Sequence, residues 1–473
     1  MSGSLSFSEK EDVVKFVNEK GIKIVNLCHV PEDGRLKTLS FSAADKVRLL
    51  EILDLGERVD GSSLFSFIDP CQSDMYISPR FDKAFINPFA SIPTLNILCD
   101  YLDEDGKPLS VAPMNILRRA VEKLRSSTSI TMKALAELEF YVISRLEDET
   151  LLPKEQDKNY HESAPFARFE TIRNEALATL AEQGIATKYG HCEVGRILTR
   201  DKLVMEQHEI EFMAKDLEEM ADTVTIAKWI VRNVCLNHGV VASFSPKISM
   251  EHAGNGMHAH LCATRNNENI VAASDGTLSD EALMMMGGIL RFAPSLAAFA
   301  NTTPVSYLRF IARKESPMHI CWSSRNRLAL IRIPLWWSHR KKNERGRSCL
   351  ETFEYRAPDA FANTYLLFAA LALAIDYGLQ NPEETRKLAE NLHVDGGSDK
   401  HERLKTLPSS CNEAADNLEK DRRAYEAEDI FPKRLIDRTI EKLKAYDDHD
   451  LWKKLTGKPD EVDALLREYL HHG

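Results

Sequence analysis

The pentapeptide Ala136-Glu-Leu-Glu-Phe140 alternates acidic and apolar residues. In a strand, residues two apart share a face, so Glu137 and Glu139 point together while Leu138 and Phe140 face a core. Two carboxylates on one face repel unless cations lie between them or water surrounds them. A divalent-metal site therefore competes with an ordinary exposed strand face. Both readings require a sheet with one packed face and one charged face.

At 473 residues the chain exceeds what one ordinary core organises, so one small and one large domain are expected. Short β-type runs at Ile22 to Cys28 and Leu36 to Phe41, separated by Pro31-Glu-Asp-Gly34, predict a small N-terminal sheet. A polar turn at Asp103 to Pro108 precedes helical spacing over Asn115 to Ser126, which places the boundary at about 108: an N-terminal domain over 1–107 and a catalytic domain over 108–473. Beyond it the pattern predicts strands at Ala136 to Ile143, His258 to Cys262, Leu328 to Ile333 and Thr352 to Arg356. Helices are predicted at about Phe169 to Gln183 and Ala214 to His238. The class is α+β.

The longest clean apolar run, Leu366 to Ile375, is too short to cross a bilayer and reads as a buried helix. Met1 to Ser8 carries no secretory pattern, so a cytoplasmic location and no membrane partner are expected. Nine scattered cysteines without a Cys-x-x-Cys pair support neither a disulfide framework nor a zinc ribbon. The net charge of −11 argues against nucleic acid, although Arg340, Lys341, Lys342, Arg345 and Arg347 form a local basic cluster that suits a solvated loop or a phosphate.

Further chemistry-bearing residues lie downstream. Gly254-Asn-Gly-Met-His-Ala-His260 is a glycine-rich turn entering a strand that puts His258 and His260 on one face, which suits metal or phosphate work or a structural role. Its loose G-x-G-x-x-A spacing is discounted as a dinucleotide fingerprint, because a strand rather than a helix follows. In Thr352-Phe-Glu-Tyr-Arg356, Glu354 and Arg356 share a face, as a surface ion pair or as part of a site. Arg332 sits inside an apolar strand, where a charge is costly unless paired. With Arg309, Arg325 and Arg327 it fits anionic ligands in a shared cleft. No Walker loop, kinase motif or G-x-S-x-G elbow occurs, so any nucleotide must be held by metals and arginines.

In order, Asp60-Gly-Ser-Ser63, Glu137-Leu-Glu139, Gly254-Asn-Gly-Met-His258, Asn301 to Arg309, Glu315-Ser-Pro317, Ser324-Arg-Asn-Arg327, Ile331-Arg-Ile-Pro334 and Glu354 to Asp359 resemble glutamine synthetase, most nearly the bacterial type, from about residue 20 to 380. The resemblance implies a small N-terminal β-grasp domain and a large catalytic domain with a curved antiparallel sheet flanked by helices. It implies an ATP-dependent ligase that forms glutamine from glutamate and ammonium through a γ-glutamyl phosphate. It further implies hexameric rings, stacked as a dodecamer, and two or more Mg²⁺ or Mn²⁺ ions per subunit. One ion would be held by Glu139, Glu193 and Glu209, the other by Glu137, His258 and Glu354. Arg309, Arg356 and Gly254 would hold glutamate, and Arg327 and Arg332 the nucleotide phosphates. The catalytic set would be Asp60 on the ammonium across a subunit boundary, Glu315 on a closing flap, Arg327 and Arg356.

Departures from the family pattern are Ala253 for an asparagine that touches glutamate, Thr352 for an arginine near the phosphates, and Cys262 for a nucleotide-contacting serine. Glu206 and Glu211 compete with Glu209 as the third ligand. His393 stands where some bacterial members carry an adenylylated tyrosine, so that control is expected to be absent. Two alternatives follow: a γ-glutamyl ligase using another amine or a modified glutamate, and a catalytically inactive structural member.

Overall fold

The computed structural model describes residues 5–145, 156–199, 202–312, 316–336, 351–394 and 404–473. Glu315 and the basic cluster of Arg340, Lys341, Lys342, Arg345 and Arg347 lie outside the described residues. The N-terminal part runs α1 (Lys10–Glu19), β1 (Ile24–His29), β2 (Lys37–Ser42), α2 (Lys46–Leu55), β3 (Glu57–Asp60), β4 (Asp74–Ile86) and β5 (Thr94–Leu102). Its five strands order as β2-β1-β5-β4-β3, with β1 and β5 parallel and the other neighbours antiparallel. Val25, Leu95 and Ile97 pack on α1 and α2 through Val13, Val17, Leu49 and Leu53, the apolar stripes that the helical spacing supplies.

The second part begins with α3 (Pro113–Thr128), β6 (Thr131–Arg145), α4 (Glu170–Glu182), β7 (Thr187–Leu198), β8 (Leu203–Phe212), β9 (Lys215–Asp216), α5 (Leu217–Asn237), β10 (Val241–Ser243) and β11 (Met257–Arg265). It continues with β12 (Glu268–Asn269), α6 (Asp280–Ala300), α7 (Pro304–Ile311), β13 (His319–Ser324), β14 (Ala329–Ile333), β15 (Phe353–Tyr355) and α8 (Thr364–Gln380). Five helices close it: α9 (Pro382–Asn391), α10 (Cys411–Glu426), α11 (Lys433–Lys444), α12 (Leu451–Leu455) and α13 (Pro459–Glu468). The main path of the large sheet is β13-β14-β15-β11-β6-β8-β7, and only β13 and β14 pair in parallel.

Strand β6 organises this sheet. Met132, Ala134, Ala136, Leu138, Phe140 and Val142, all of one parity, are buried in the main core with α3, α5, α6 and α8. The opposite parity carries Glu137 and Glu139. Helix α6 shows no such stripe because it is apolar nearly all round. Among the described residues it is the one helix long and apolar enough to cross a membrane, yet most of it is buried inside the protein.

Charges join the two parts. Arg80 of β4 makes a two-pronged contact with Asp222 of α5, donating at 3.2 and 3.0 Å. Arg118 of α3 bridges Asp100 of β5 and Glu218 of α5. Planar guanidinium forks between carboxylates fix orientation as well as distance. Of the eight described cysteines, all but Cys71 are buried.

Candidate active site

A row of charged side chains crosses the open face of the large sheet, placed there by register. Arg332 of β14 stands opposite Glu354 of β15, Glu354 opposite His260 of β11, His258 opposite Glu137 of β6, Glu139 opposite Glu209 of β8, and Glu209 opposite His191 of β7. Strand parity supplies the residues, and antiparallel pairing aligns them.

At the β11–β15 end, Glu137 lies between two imidazoles, with Oε2 at 2.8 Å from His258 Nδ1 and Oε1 at 2.8 Å from His260 Nε2. His258 Nδ1 is also 3.5 Å from Glu354 Oε1, so both histidines of the His-x-His segment face the same two carboxylates. Glu354, fully buried, accepts from Arg332 Nη1 at 2.6 Å and makes a short contact with Arg356 Nη1. Burial is the largest single influence on Glu354 and works against ionising it, but Arg356, His260 and His258 together hold the carboxyl below its ordinary range. Glu137 is likewise held well below its ordinary range, because His260 and His258 outweigh its burial.

At the β7–β8 end Glu209 has no lysine or arginine partner among the described residues. His191 Nε2 is 3.2 Å from Glu209 Oε1, and its Nδ1 is 3.8 Å from Glu193. Burial, then Glu137, Glu139, Glu193 and Glu211, push Glu209 well above the ordinary carboxyl value. Residues 193–195 form an irregularity in the β7–β8 pairing. There a Cβ on Gly195 would meet Tyr141 Oη at 1.9 Å, so glycine alone admits the approach that lets Gly195 N donate to Gln207 Oε1 at 3.1 Å. Gln207 Nε2 in turn donates to Glu139 Oε2 at 3.2 Å and to Gly254 O at 3.0 Å, while Gly256 N donates to the same Glu139 oxygen at 2.8 Å.

Glu137, Glu139, Glu193, Glu209, Gly254, His258, Arg309, Arg327 and Arg356 thus meet around one small cavity of about 30 Å³, which suits ions and water. Ala253 lines it too, and its carbonyl accepts from Tyr141 Oη at 2.8 Å. A side chain at Gly254 would strike Pro246 O at 2.3 Å, which explains that glycine sterically. Arg309 lies on the floor, donating to Ala357 O at 2.9 Å and Arg356 O at 3.2 Å. Of the competing carboxylates, Glu206 lies on the opposite face of β8 beside Arg196, and Glu211 is paired with Lys188 at 2.6 Å. Only Glu209 of the three lines the cavity.

Asp60 is not brought there. It is exposed at the end of β3, where Ser62 Oγ and Ser63 Oγ donate to its carboxylate at 2.8 and 2.6 Å. Those hydroxyls hold it well below its usual range. Thr352 Oγ1 sits 3.1 Å from His260 Nδ1, and Cys262 is fully buried beside Asn269. His393 stacks on Trp322 at 4.1 Å.

Sequence reasoning gave no site role to His191 or Gln207, and set His260 beside His258 on a face suited to metal or phosphate without placing it in a ligand set. The signal for the two histidines was parity: His191 stands two residues before Glu193, and His260 two after His258. Nothing local marks Gln207.

Residues 110–457 match the family model described as glutamine synthetase, catalytic domain, and residues 21–104 match that described as glutamine synthetase, beta-Grasp domain. The chain belongs to the glutamine synthetase family. It is 31% identical over 432 residues to the glutamine synthetase of Thermotoga maritima, covering 89% of this chain and 93% of that one. It is 33% identical over 410 residues to that of Pyrococcus abyssi, covering 86% of each. The cryo-EM structure of Plasmodium falciparum glutamine synthetase shares the fold, with a TM-score of 0.80 at 23% identity over 97% of this chain and 99% of that one. The family fold is therefore a β-grasp unit followed by a large catalytic domain with a curved sheet.

The family uses ATP and a divalent metal, and the donor set fits one. Ligand atoms of Glu137, His260 and Glu354 lie within 4.8 Å of one another, as do those of His191, Glu193 and Glu209. Oxygen and imidazole donors without sulfur suit Mg²⁺ or Mn²⁺. The mutual repulsion at Glu209 is the condition a divalent cation relieves.

Proposed function

We propose that the chain is an ADP-forming glutamate–ammonia ligase, and that the charged row is its reaction centre. The observation that carries this reading is the meeting of acidic and imidazole donors with three arginines around one cavity. A carboxylate is a poor electrophile. In the proposed reaction the γ-carboxylate oxygen of glutamate attacks the terminal phosphorus of ATP, the bond to ADP breaks, and a γ-glutamyl phosphate forms. Ammonia then attacks the acyl carbon and phosphate leaves.

Glu139, Glu193 and Glu209 hold one divalent cation and Glu137, His258 and Glu354 a second, with His191 and His260 as additional donors. When bound, these cations offset the charge on the phosphoryl oxygens. Arg309 and the main chain at Gly254 position glutamate. Arg356 stands beside the reacting carboxylate, and Arg327 and Arg332 receive the phosphates. Arg332 supports this role through a buried Nε that has no hydrogen-bond partner among the described residues. Asp60 takes the ammonium proton in a neighbouring subunit. Its exposure, away from its own chain's cavity, favours a site shared between subunits, and the family resemblance supplies the hexameric ring stacked as a dodecamer. Glu315 covers the intermediate. The domain division is placed at 107/108 and the location in the cytoplasm.

The test is phosphate release from ATP with glutamate and Mg²⁺, with and without ammonium, with mass detection of product. Ammonium-dependent glutamine supports the reading, whereas turnover only with other amines moves it to a γ-glutamyl-amine ligase. Ala253 motivates that second reading, because it places a methyl group where the cavity would take a polar contact to the amino-acid end.

A further inference from the structure

A second cavity, of about 450 Å³, lies between the β1–β2 loop, α5 and the end of the chain. Arg35, Lys228 and Arg232 line it, and no aspartate or glutamate does. Their hydrogen-bond acceptors among the described residues are main-chain oxygens: His471 O at 2.9 Å for Arg35, Ala360 O at 3.0 Å for Lys228, and Gly473 O for Arg232. Asp33 and Asp359 act on Lys228 from outside the lining, where these three cations and no side-chain carboxylate stand. Lys228 is only 3% exposed, and among the described residues no carboxylate pairs with its buried ammonium, although those two aspartates act on it from farther off. Burial, then Arg232 and Arg35, push it down to about 7, and burial with Arg35 lowers Arg232 to about 10. The remaining wall is apolar, including Trp229, Leu236 and Leu36. The volume falls in the range of small-molecule sites, which combine an apolar wall with a few convergent polar groups.

We propose that this cavity binds a small organic oxyanion, its head held by Arg35, Lys228 and Arg232 and its apolar body laid against Trp229 and Leu236. The site is separate from the charged row and stands whether or not the ligase reading does. A bound ligand links the β1–β2 loop of the β-grasp unit to α5 of the catalytic domain, through Arg35 on one side and Lys228 and Arg232 on the other. Carboxylate and phosphate heads share the required chemistry, since a guanidinium fork accepts either.

The experiment is isothermal titration of the full chain with phenyl phosphate, benzoate and inorganic phosphate, on the wild type, Arg35→Ala and Lys228→Gln. The expected result is millimolar or tighter binding of phenyl phosphate, benzoate or both, tighter than inorganic phosphate, and weakened about tenfold or more in each variant. Whichever aryl anion binds more tightly identifies the head group. Arg35 is exposed at the rim, so its variant keeps the fold even if Lys228→Gln does not. Absence of aryl-anion binding at millimolar concentration, or equal affinity in the wild type and Arg35→Ala, overturns the proposal.

Discussion

The two ends of the charged row are built from the same residue types, yet their electrostatics are opposite. At the β11–β15 end Glu137 and Glu354 are held ionised by His258, His260, Arg332 and Arg356. At the β7–β8 end Glu209 is held toward its neutral form by burial and four other carboxylates. A buried carboxylate is thus stabilising or destabilising according to its neighbours rather than its own burial. The first end carries its counter-charges within the protein, whereas at the second burial and neighbouring carboxylates dominate Glu209.

Glu139 lies between the two ends, opposite Glu209 and 3.8 Å from His258, so the largest effect is expected there. Glu139→Ala should lower turnover by about a thousandfold and abolish metal binding while the assembly stays folded. Phosphate release and metal titration check this, and an active variant would overturn it. Glu354→Gln should next destabilise the fold by about 3 kcal/mol, because Arg332 and Arg356 lose a buried partner. Denaturant unfolding measures it. Asp60 lies off both ends, so Asp60→Ala should cut ammonium-dependent turnover by about a hundredfold with metal affinity unchanged. Equal loss of γ-glutamyl phosphate formation would contradict its role.

The smallest effect is the most diagnostic, since the same chemical change reverses sign between the ends. Glu209→Gln should stabilise the metal-free protein by on the order of 1 kcal/mol. The pH dependences are opposite as well. Glu209 is raised in the fold, so its destabilisation of the metal-free protein sets in as pH rises above the ordinary value of 4.5 and grows until the raised value is passed. Glu354 is lowered, so its stabilisation is present above the ordinary value and lost as pH falls through the folded one. Thermal melts across pH, with and without Mg²⁺, separate them: Mg²⁺ should flatten the alkaline limb in the wild type and leave it unchanged in Glu209→Gln, which lacks it already.

Much of the site was legible because strand parity is a local rule. Alternation alone put Glu137 with Glu139, His258 with His260, and Glu354 with Arg356, each pair on one face, and the strands at β6, β11, β14 and β15 form where the pattern placed them. Helix α6 was not legible, since a helix buried on every side carries no period. His191 and Gln207 were missed for another reason: their roles depend on which strands pair with β8.

By itself, then, the sequence determined which side chains share a face and which segments carry a core stripe, because backbone geometry dictates both within a few residues. Tertiary structure alone decided that six strands align those faces into one row, that Glu209 rather than Glu206 or Glu211 enters the cavity, and that one end meets arginines while the other meets carboxylates. Register and charge environment arise between segments far apart in the chain, and no local pattern encodes them.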